Sequence, residues 1–170
     1  MNAIVAVSEN WGIGYRNQLL FHISPDMRRF QAITLGKTVI LGRKTLESLP
    51  GGVPLSGRET ILLSTTPGIQ VKGALICKNV EELLECAKGR DPDSLFVIGG
   101  ASVYQALLSH CRRVFVTQVK ARPDADRFFP DLDALPDWEQ EEAGLWEVFE
   151  SLTYRYLTYR RADAACLLGK

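Results

Sequence analysis

A chain of 170 residues, 46% of them hydrophobic, can bury roughly 70% of its extended surface in one core and needs no disulfide scaffold. Its 20 Lys plus Arg balance its 20 Asp plus Glu, which excludes a disordered polyelectrolyte and a generally basic nucleic-acid binder. The N-terminus reaches Glu9 and Asn10 without a basic leader and no apolar run is long enough for a membrane span, so a soluble cytoplasmic protein that binds neither membrane nor nucleic acid is expected. Cys77, Cys86, Cys111 and Cys166 lack paired spacing, and His22 and His110 belong to no metal motif, so reduced thiols and no metal are expected.

In chain order, Ala3 to Ser8 reads as a buried strand, and Val39 to Leu41, Thr60 to Leu63, Ala74 to Cys77, Leu95 to Ile98 and Val114 to Val116 repeat the signal. Helices are predicted between them at Pro25 to Thr34, Lys44 to Leu49, Val80 to Cys86 and Ser102 to Leu108. That alternation is the pattern of parallel strands joined by helical crossovers. Pro123, Pro130 and Pro136 then punctuate a polar connection, and Tyr154 to Tyr159 alternates as a final extended segment, predicting an antiparallel edge. Pro50 to Gly57 reads as a surface loop within one domain spanning 1–162, followed by a short tail at 163–170. Charge is uneven: Arg16 to Lys78 carries nine bases against three acids, whereas Asp126 to Glu150 carries nine acids and only Arg127 as a base. Either the basic part meets a phosphate-bearing ligand or the chain has two differently charged solvent faces.

Ser24 and Pro25 make a plausible helix start, with Ser24 as its cap, and Asp26, Phe30 and Ile33 then share a helix side while Arg28 points elsewhere. A partly buried carboxyl at Asp26 would titrate above its usual value and could hold a proton or a cationic heterocycle; the competing reading is an early-turn acid serving the helix dipole in water. Upstream, Trp11-Gly12-Ile13-Gly14 and Asn17-Gln18-Leu19-Leu20 form a long link that reads equally as a mobile flap excluding water or as a rigid connection anchored by Trp11.

Two strand-to-helix junctions follow. Leu41-Gly42-Arg43-Lys44-Thr45 offers backbone donors, a hydroxyl and two cations to a phosphate, and Val97-Ile98-Gly99-Gly100-Ala101-Ser102 permits close backbone approach to an anion or a flat ring. Neither is a GxGxxG or a Walker sequence. Ser64 and Thr65 end another strand, as ligand hydroxyls or as turn caps. Arg58 reads as a carboxylate receiver or as a surface charge beside Glu59, and Thr117 as a support for Asp26 or as an ordinary strand residue. Asp124 and Asp126 read as solvated charges, and neither histidine is expected to be catalytic.

The ordered series Ala3-Ile4-Val5-Ala6-Val7, Trp11-Gly12-Ile13-Gly14, Leu19-Leu20-Phe21, Ser24-Pro25-Asp26, Leu41-Gly42-Arg43-Lys44-Thr45, Leu55-Ser56-Gly57-Arg58, Ile98-Gly99-Gly100-Ala101-Ser102-Val103-Tyr104 and Val116-Thr117 resembles the bacterial dihydrofolate reductases over about residues 2–161. The resemblance implies an α/β fold with a central, mostly parallel sheet of about eight strands, about four flanking helices and an antiparallel C-terminal strand. It implies NADPH-dependent reduction of 7,8-dihydrofolate to 5,6,7,8-tetrahydrofolate, with folate analogues as inhibitors; a monomer is the expectation for a domain of this size. On the folate side it implies Asp26 as the group that binds the pterin and promotes protonation at N5, with Ala6, Phe30, Leu49, Arg58 and Thr117 around the substrate. On the cofactor side it implies Ala6, Ile13, Gly14, Leu19, Ile98 and Tyr104 at the nicotinamide, and Gly42, Arg43, Lys44, Thr45, Ser64, Thr65, Lys78, Gly99, Gly100, Ala101, Ser102 and Val103 at the remainder, with a cis Gly99–Gly100 peptide. Phe21 stands where many members carry tryptophan, removing an indole donor from the proton-delivery region, and Leu46 replaces a commonly bulkier aromatic. Two other readings remain at this point: a related reductase of another nucleotide-derived heterocycle, and a nonenzymatic nucleotide-binding module.

Overall fold

The computed structural model describes residues 1–162, so Cys166 and the expected 163–170 tail lie outside the described residues. In chain order its elements are β1 (Asn2–Val7), β2 (Gly12–Tyr15), β3 (Gln18–Leu19), α1 (Ser24–Thr34), β4 (Thr38–Gly42), α2 (Arg43–Ser48), β5 (Glu59–Leu63), β6 (Ala74–Cys77), α3 (Val80–Ala87), β7 (Leu95–Gly99), α4 (Ala101–Leu107), β8 (Arg113–Val119), β9 (Arg127–Phe128), β10 (Trp138–Ala143), β11 (Glu147–Phe149) and β12 (Leu152–Arg161). The six apolar runs all become strands of one sheet, ordered β10-β12-β8-β1-β7-β4-β5-β6, with β11 added against β12. Those six pair in parallel, and β12 pairs antiparallel to β8.

The strand order explains which face each helix covers. From β1 the chain moves through β4 and β5 to β6 at one edge, then returns to insert β7 between β1 and β4 and continues to β8. Because crossovers between parallel strands are right-handed, outward and returning connections fall on opposite faces. Alternation along the strands agrees. Ala3, Val5, Val7, Ile40, Ile61 and Val97 pack with Leu83, Val103 and Leu107 of α3 and α4. Val39, Leu41 and Leu62 turn the other way and pack with Leu46 of α2. Covered on both faces, the strands carry near-continuous apolar runs.

Two expectations are corrected here. The antiparallel β12 is not the sheet edge, because β10 and β11 pair with its outer side. Trp138–Ala143 is almost wholly exposed and rich in acids, so it lacks an apolar alternation to read, yet a charged, short strand suits an edge that must not recruit another chain. Ser24 is not the cap of α1: Ile23 occupies that position without a side-chain bond, and Ser24 and Pro25 form the first turn, where proline's missing N–H is no loss. The acidic β10–β11 segment and the basic turns after β4 and β6 lie toward opposite edges of the sheet, so the charge asymmetry of the sequence is a spatial one.

Ile40 is 0% exposed in β4, between β5 and β7, whereas Val148 is 71% exposed. Ile40→Ala is expected to lower stability by about 2–5 kcal/mol, and Val148→Ala by no more than about 0.5 kcal/mol, in urea denaturation.

Candidate active site

The parallel register of β1 on β8 places Ala6 opposite Thr117, near the carboxyl end of β1. From α1, Asp26 reaches across to this pair, and the Thr117 hydroxyl donates to Asp26 Oδ1 at 2.6 Å. Ligands of open α/β sheets bind outside the carboxyl ends of strands where crossover direction changes, and β1 with β7 is that place here. A small cleft open to solvent is lined by Ala6, Ile13, Leu19, Leu20, Phe21, Ile23, Asp26 and Met27. Among the described residues Asp26 is the one ionisable group lining it, and burial pushes the carboxyl above its ordinary value while the Thr117 hydrogen bond and the Arg29 charge pull it back. Half-buried and bonded to Thr117, Asp26 faces the cleft rather than standing free in water at the helix start.

The link from β1 to α1 is held by a set of local contacts. The Ser8 N–H donates to the Gly12 carbonyl at 2.9 Å and the Trp11 N–H to the Ser8 carbonyl at 3.0 Å, closing a turn that Trp11 anchors by stacking on Phe129 at 6.2 Å. Beyond it β2 and β3 form a hairpin whose two turn residues, Arg16 and Asn17, both have positive φ, as the right-handed twist of a two-residue turn demands. Gly12 is required: an added Cβ would lie 2.8 Å from both Ala125 Cβ and Ser8 Oγ. The hairpin is held from outside by Asp126, whose carboxylate accepts from the Arg16 N–H at 3.1 Å and whose own N–H donates to the Gly14 carbonyl at 3.0 Å. Asp126 is exposed, as its reading as a solvated charge expects, and is in addition a loop tie that only the three-dimensional pairing of β2 with β9 reveals. Leu19 sits at the cleft mouth 72% exposed, while Ile13 is buried between cleft and core.

The two glycine junctions abut. A Cβ on Gly42 would meet Val103 Cγ2 at 3.0 Å, and one on Gly100 would meet Thr45 Oγ1 at 3.1 Å, so backbone approaches backbone where side chains are missing. The Gly99–Gly100 peptide is cis, as the resemblance implies. Ala101, Ser102 and Val103 form the first turn of α4, and Ile98 turns toward the α2 side with Leu49. Tyr104 is buried, its hydroxyl donating to the Ile4 carbonyl at 2.7 Å and its ring packed edge-on against Phe129 at 4.8 Å, so it supports the junction from the core side.

Register also gathers the cationic turns. Gly42 of β4 pairs with Leu63 of β5, and Leu63 with Cys77 of β6, so Arg43, Ser64 and Lys78 each follow the end of adjacent parallel strands. Arg43 pairs with Glu47 one turn along α2, whereas Lys44 and Lys78 make no ion pair among the described residues. Lys78 is positioned by its N–H donating to Glu82 at 2.8 Å, beside the Asn79 cap of α3. Ser64 is buried and its hydroxyl accepts from the Thr66 N–H at 3.2 Å, so it caps its turn, and exposed Thr65 presents the free hydroxyl there. A run of cations and tight glycine turns of this kind fits a long phosphate-bearing cofactor.

At the other end, Arg58 is not paired with Glu59, which engages Arg90 instead. Its guanidinium donates to the Ser56 carbonyl at 2.8 and 3.0 Å and to Thr34 Oγ1 at 3.3 Å, held by neutral groups and available to an anion. Phe30 is half-buried on α1 and Leu49 ends α2, between Asp26 and Arg58 in the chain. Sequence reasoning did not single out Met27 or Ile23 as cleft residues, since their apolar types read as ordinary helix and core positions. His22 and His110 are exposed, and Cys77, Cys86 and Cys111 are free thiols.

Comparison with known proteins gives one family. Residues 1–161 match the family model described as dihydrofolate reductase. A dihydrofolate reductase of Bacillus subtilis is 31% identical over 164 residues, 95% of each chain. A type 3 dihydrofolate reductase of Salmonella typhimurium is 34% identical, covering 84% of this chain and 85% of that one. Among solved structures, a dihydrofolate reductase from Enterococcus faecalis complexed with NADP(H) and RAB-propyl superposes with a TM-score of 0.84 at 32% identity, covering 95% of this chain and 96% of that one.

The raised Asp26 carboxyl carries a sign for stability. Folding favours its protonated form, so its contribution is most favourable below the unfolded value of 3.8 and is lost as pH rises through the higher folded value. Asp26→Asn, which keeps an acceptor for Thr117, is expected to raise Tm at pH 7 and to leave it nearly unchanged near pH 3, by thermal denaturation followed by circular dichroism.

Proposed function

The chain belongs to the dihydrofolate reductase family, and from that premise we infer that this cleft carries out NADPH-dependent reduction of 7,8-dihydrofolate to 5,6,7,8-tetrahydrofolate. The observation that carries the reading is the Thr117-bonded Asp26 carboxyl, among the described residues the one ionisable group lining an otherwise apolar cleft at the end of β1. NADPH, when bound, supplies the hydride that reaches C6 of the pterin. The residues that would hold it are the Gly42, Gly99 and Gly100 backbone, kept free of side chains by the close packing of the two junctions, with Thr45, Thr65, Ser102 and the cations Arg43, Lys44 and Lys78 toward its phosphates. Those cations favour a cofactor with the extra ribose phosphate.

Asp26 accepts hydrogen bonds from the amino group and ring nitrogen of the pterin. Its negative charge, weakly screened in the cleft, favours the protonated ring and hence proton uptake at N5 from water. Thr117 keeps the carboxylate in that orientation. Ile13, Leu19 and Leu20 on the hairpin link limit water at the reacting carbon, and Phe21 adds a ring there without an N–H to donate. Phe30 and Leu49 pack the middle of the substrate, and Arg58 receives its glutamate carboxylate. Folate-analogue inhibitors enter by the same contacts.

We propose further that residues 1–162 act as a single catalytic domain, monomeric and cytoplasmic. No helix of the described residues is long and apolar enough to cross a membrane.

Loss of NADPH absorbance with and without dihydrofolate tests the reading directly: oxidation that depends on dihydrofolate supports it, and none, or oxidation independent of it, contradicts it. Asp26→Asn is expected to lower kcat by on the order of 100-fold or more, and parental turnover across pH would remove Asp26 from its role. Arg58→Leu is expected to raise KM for dihydrofolate by about 10–100-fold with a much smaller change in kcat, in steady-state kinetics.

A further inference from the structure

Arg29 is a half-buried cation that the mechanism above does not use. It stands three residues after Asp26 on α1, the spacing that brings side chains of consecutive helical turns together. Its guanidinium lies over the ring of Tyr156 at 4.2 Å, and one terminal nitrogen is buried without a hydrogen-bond partner. Tyr156 on β12 is paired across the sheet with Thr117 on β8, and Thr117 donates to Asp26. The four residues are thus linked in series, Asp26 to Thr117 by hydrogen bond, Thr117 to Tyr156 by strand register and Tyr156 to Arg29 by a cation–ring stack, which brings the guanidinium one helical turn from Asp26 without an ion pair between them.

We propose that Arg29 is a positioning residue of this site, clamped on Tyr156 so that its fixed positive charge steadies the Asp26 carboxylate and sets the pH range in which the chain reduces its substrate. This inference rests on the reading of Asp26 given under the proposed function. The stack matters because an arginine free to swing into water would be screened, whereas one fixed on a ring face and partly desolvated keeps its field on the neighbouring carboxylate. The other groups facing Asp26 cannot replace it. Thr117 is neutral, and Tyr156 is held neutral by burial, as is Tyr154, whose hydroxyl donates to Glu147 at 3.0 Å. The link and β1 contribute only apolar side chains to the cleft. Burial draws the Arg29 proton affinity down while Asp26 and Tyr156 restore it, so the guanidinium remains a cation.

The sign follows. Removing the cation makes a proton easier to hold at Asp26 and a protonated pterin easier to hold beside it. The Asp26 carboxyl titration and the alkaline limb of the pH–rate profile then both move to higher pH.

The test uses the full chain as parent, Arg29→Met, which keeps a long side chain for Tyr156, and Arg29→Lys, which keeps the charge. The Asp26 side-chain carboxyl is titrated by carbon-13 NMR without ligand, alongside pH–rate profiles with dihydrofolate. Arg29→Met is expected to move both midpoints upward by roughly half a pH unit or more, with Arg29→Lys close to parent. Unmoved midpoints in a folded Arg29→Met, or the same upward shift in Arg29→Lys, would overturn the proposal. A uniform loss of kcat with unchanged midpoints would mark Arg29 as packing only and also overturn it. A parent with no dihydrofolate turnover would contradict the functional reading instead, and the ligand-free titration separates that failure from this one.

Discussion

A carboxylate kept in a largely apolar slot needs a partner that moves with it, and here the partner is a hydroxyl on a neighbouring strand. The 2.6 Å bond from Thr117 to Asp26 joins α1 to the middle of the sheet, and it exists because β1 and β8 are parallel in a register that sets Thr117 beside Ala6. Everything chemical in the cleft is arranged around that point: an apolar wall from the link and α1 on one side, cationic turns at the ends of β4 to β6 farther along the sheet, and Arg58 beyond α2.

The outward and returning crossovers have a functional consequence beyond packing. Had β7 been added at an edge, the Gly42 and Gly99–Gly100 junctions would be separated by other strands. Its insertion between β1 and β4 makes them neighbours, with Gly42 and Gly100 close enough that Thr45 and Val103 fill the space side chains would take. The link between β1 and α1 is likewise more than a flexible cover. Its β2–β3 hairpin is tied at both backbone directions to Asp126, so the position of the cleft wall depends on a segment more than a hundred residues away in sequence.

How much of this was legible in the sequence follows from the range of the forces involved. The six parallel strands and four helices announce themselves because burial on both faces writes continuous apolar runs and helical periodicity into the chain. Strands β2, β3, β9, β10 and β11 left no such trace: they are short, glycine-containing or acidic, and they exist through pairing with distant partners. Asp26 and Thr117 stood out as types at strand and helix ends, but their contact is tertiary. Asp126 and Arg29 were invisible as site residues for the same reason, since a lone charge in sequence carries no sign of the backbone amide or ring it meets. The Ser24 cap failed because the helix begins one residue earlier than the usual capping signal places it.

The central claim is that the acid at the end of β1 holds the reacting heterocycle. A crystal structure of the chain with a bound folate and oxidised cofactor tests it most directly. The account predicts the pterin amino group and adjacent ring nitrogen within hydrogen-bonding distance of Asp26, with the nicotinamide packed against C6. A pterin lodged elsewhere, with Asp26 turned to solvent and away from both rings, would contradict it.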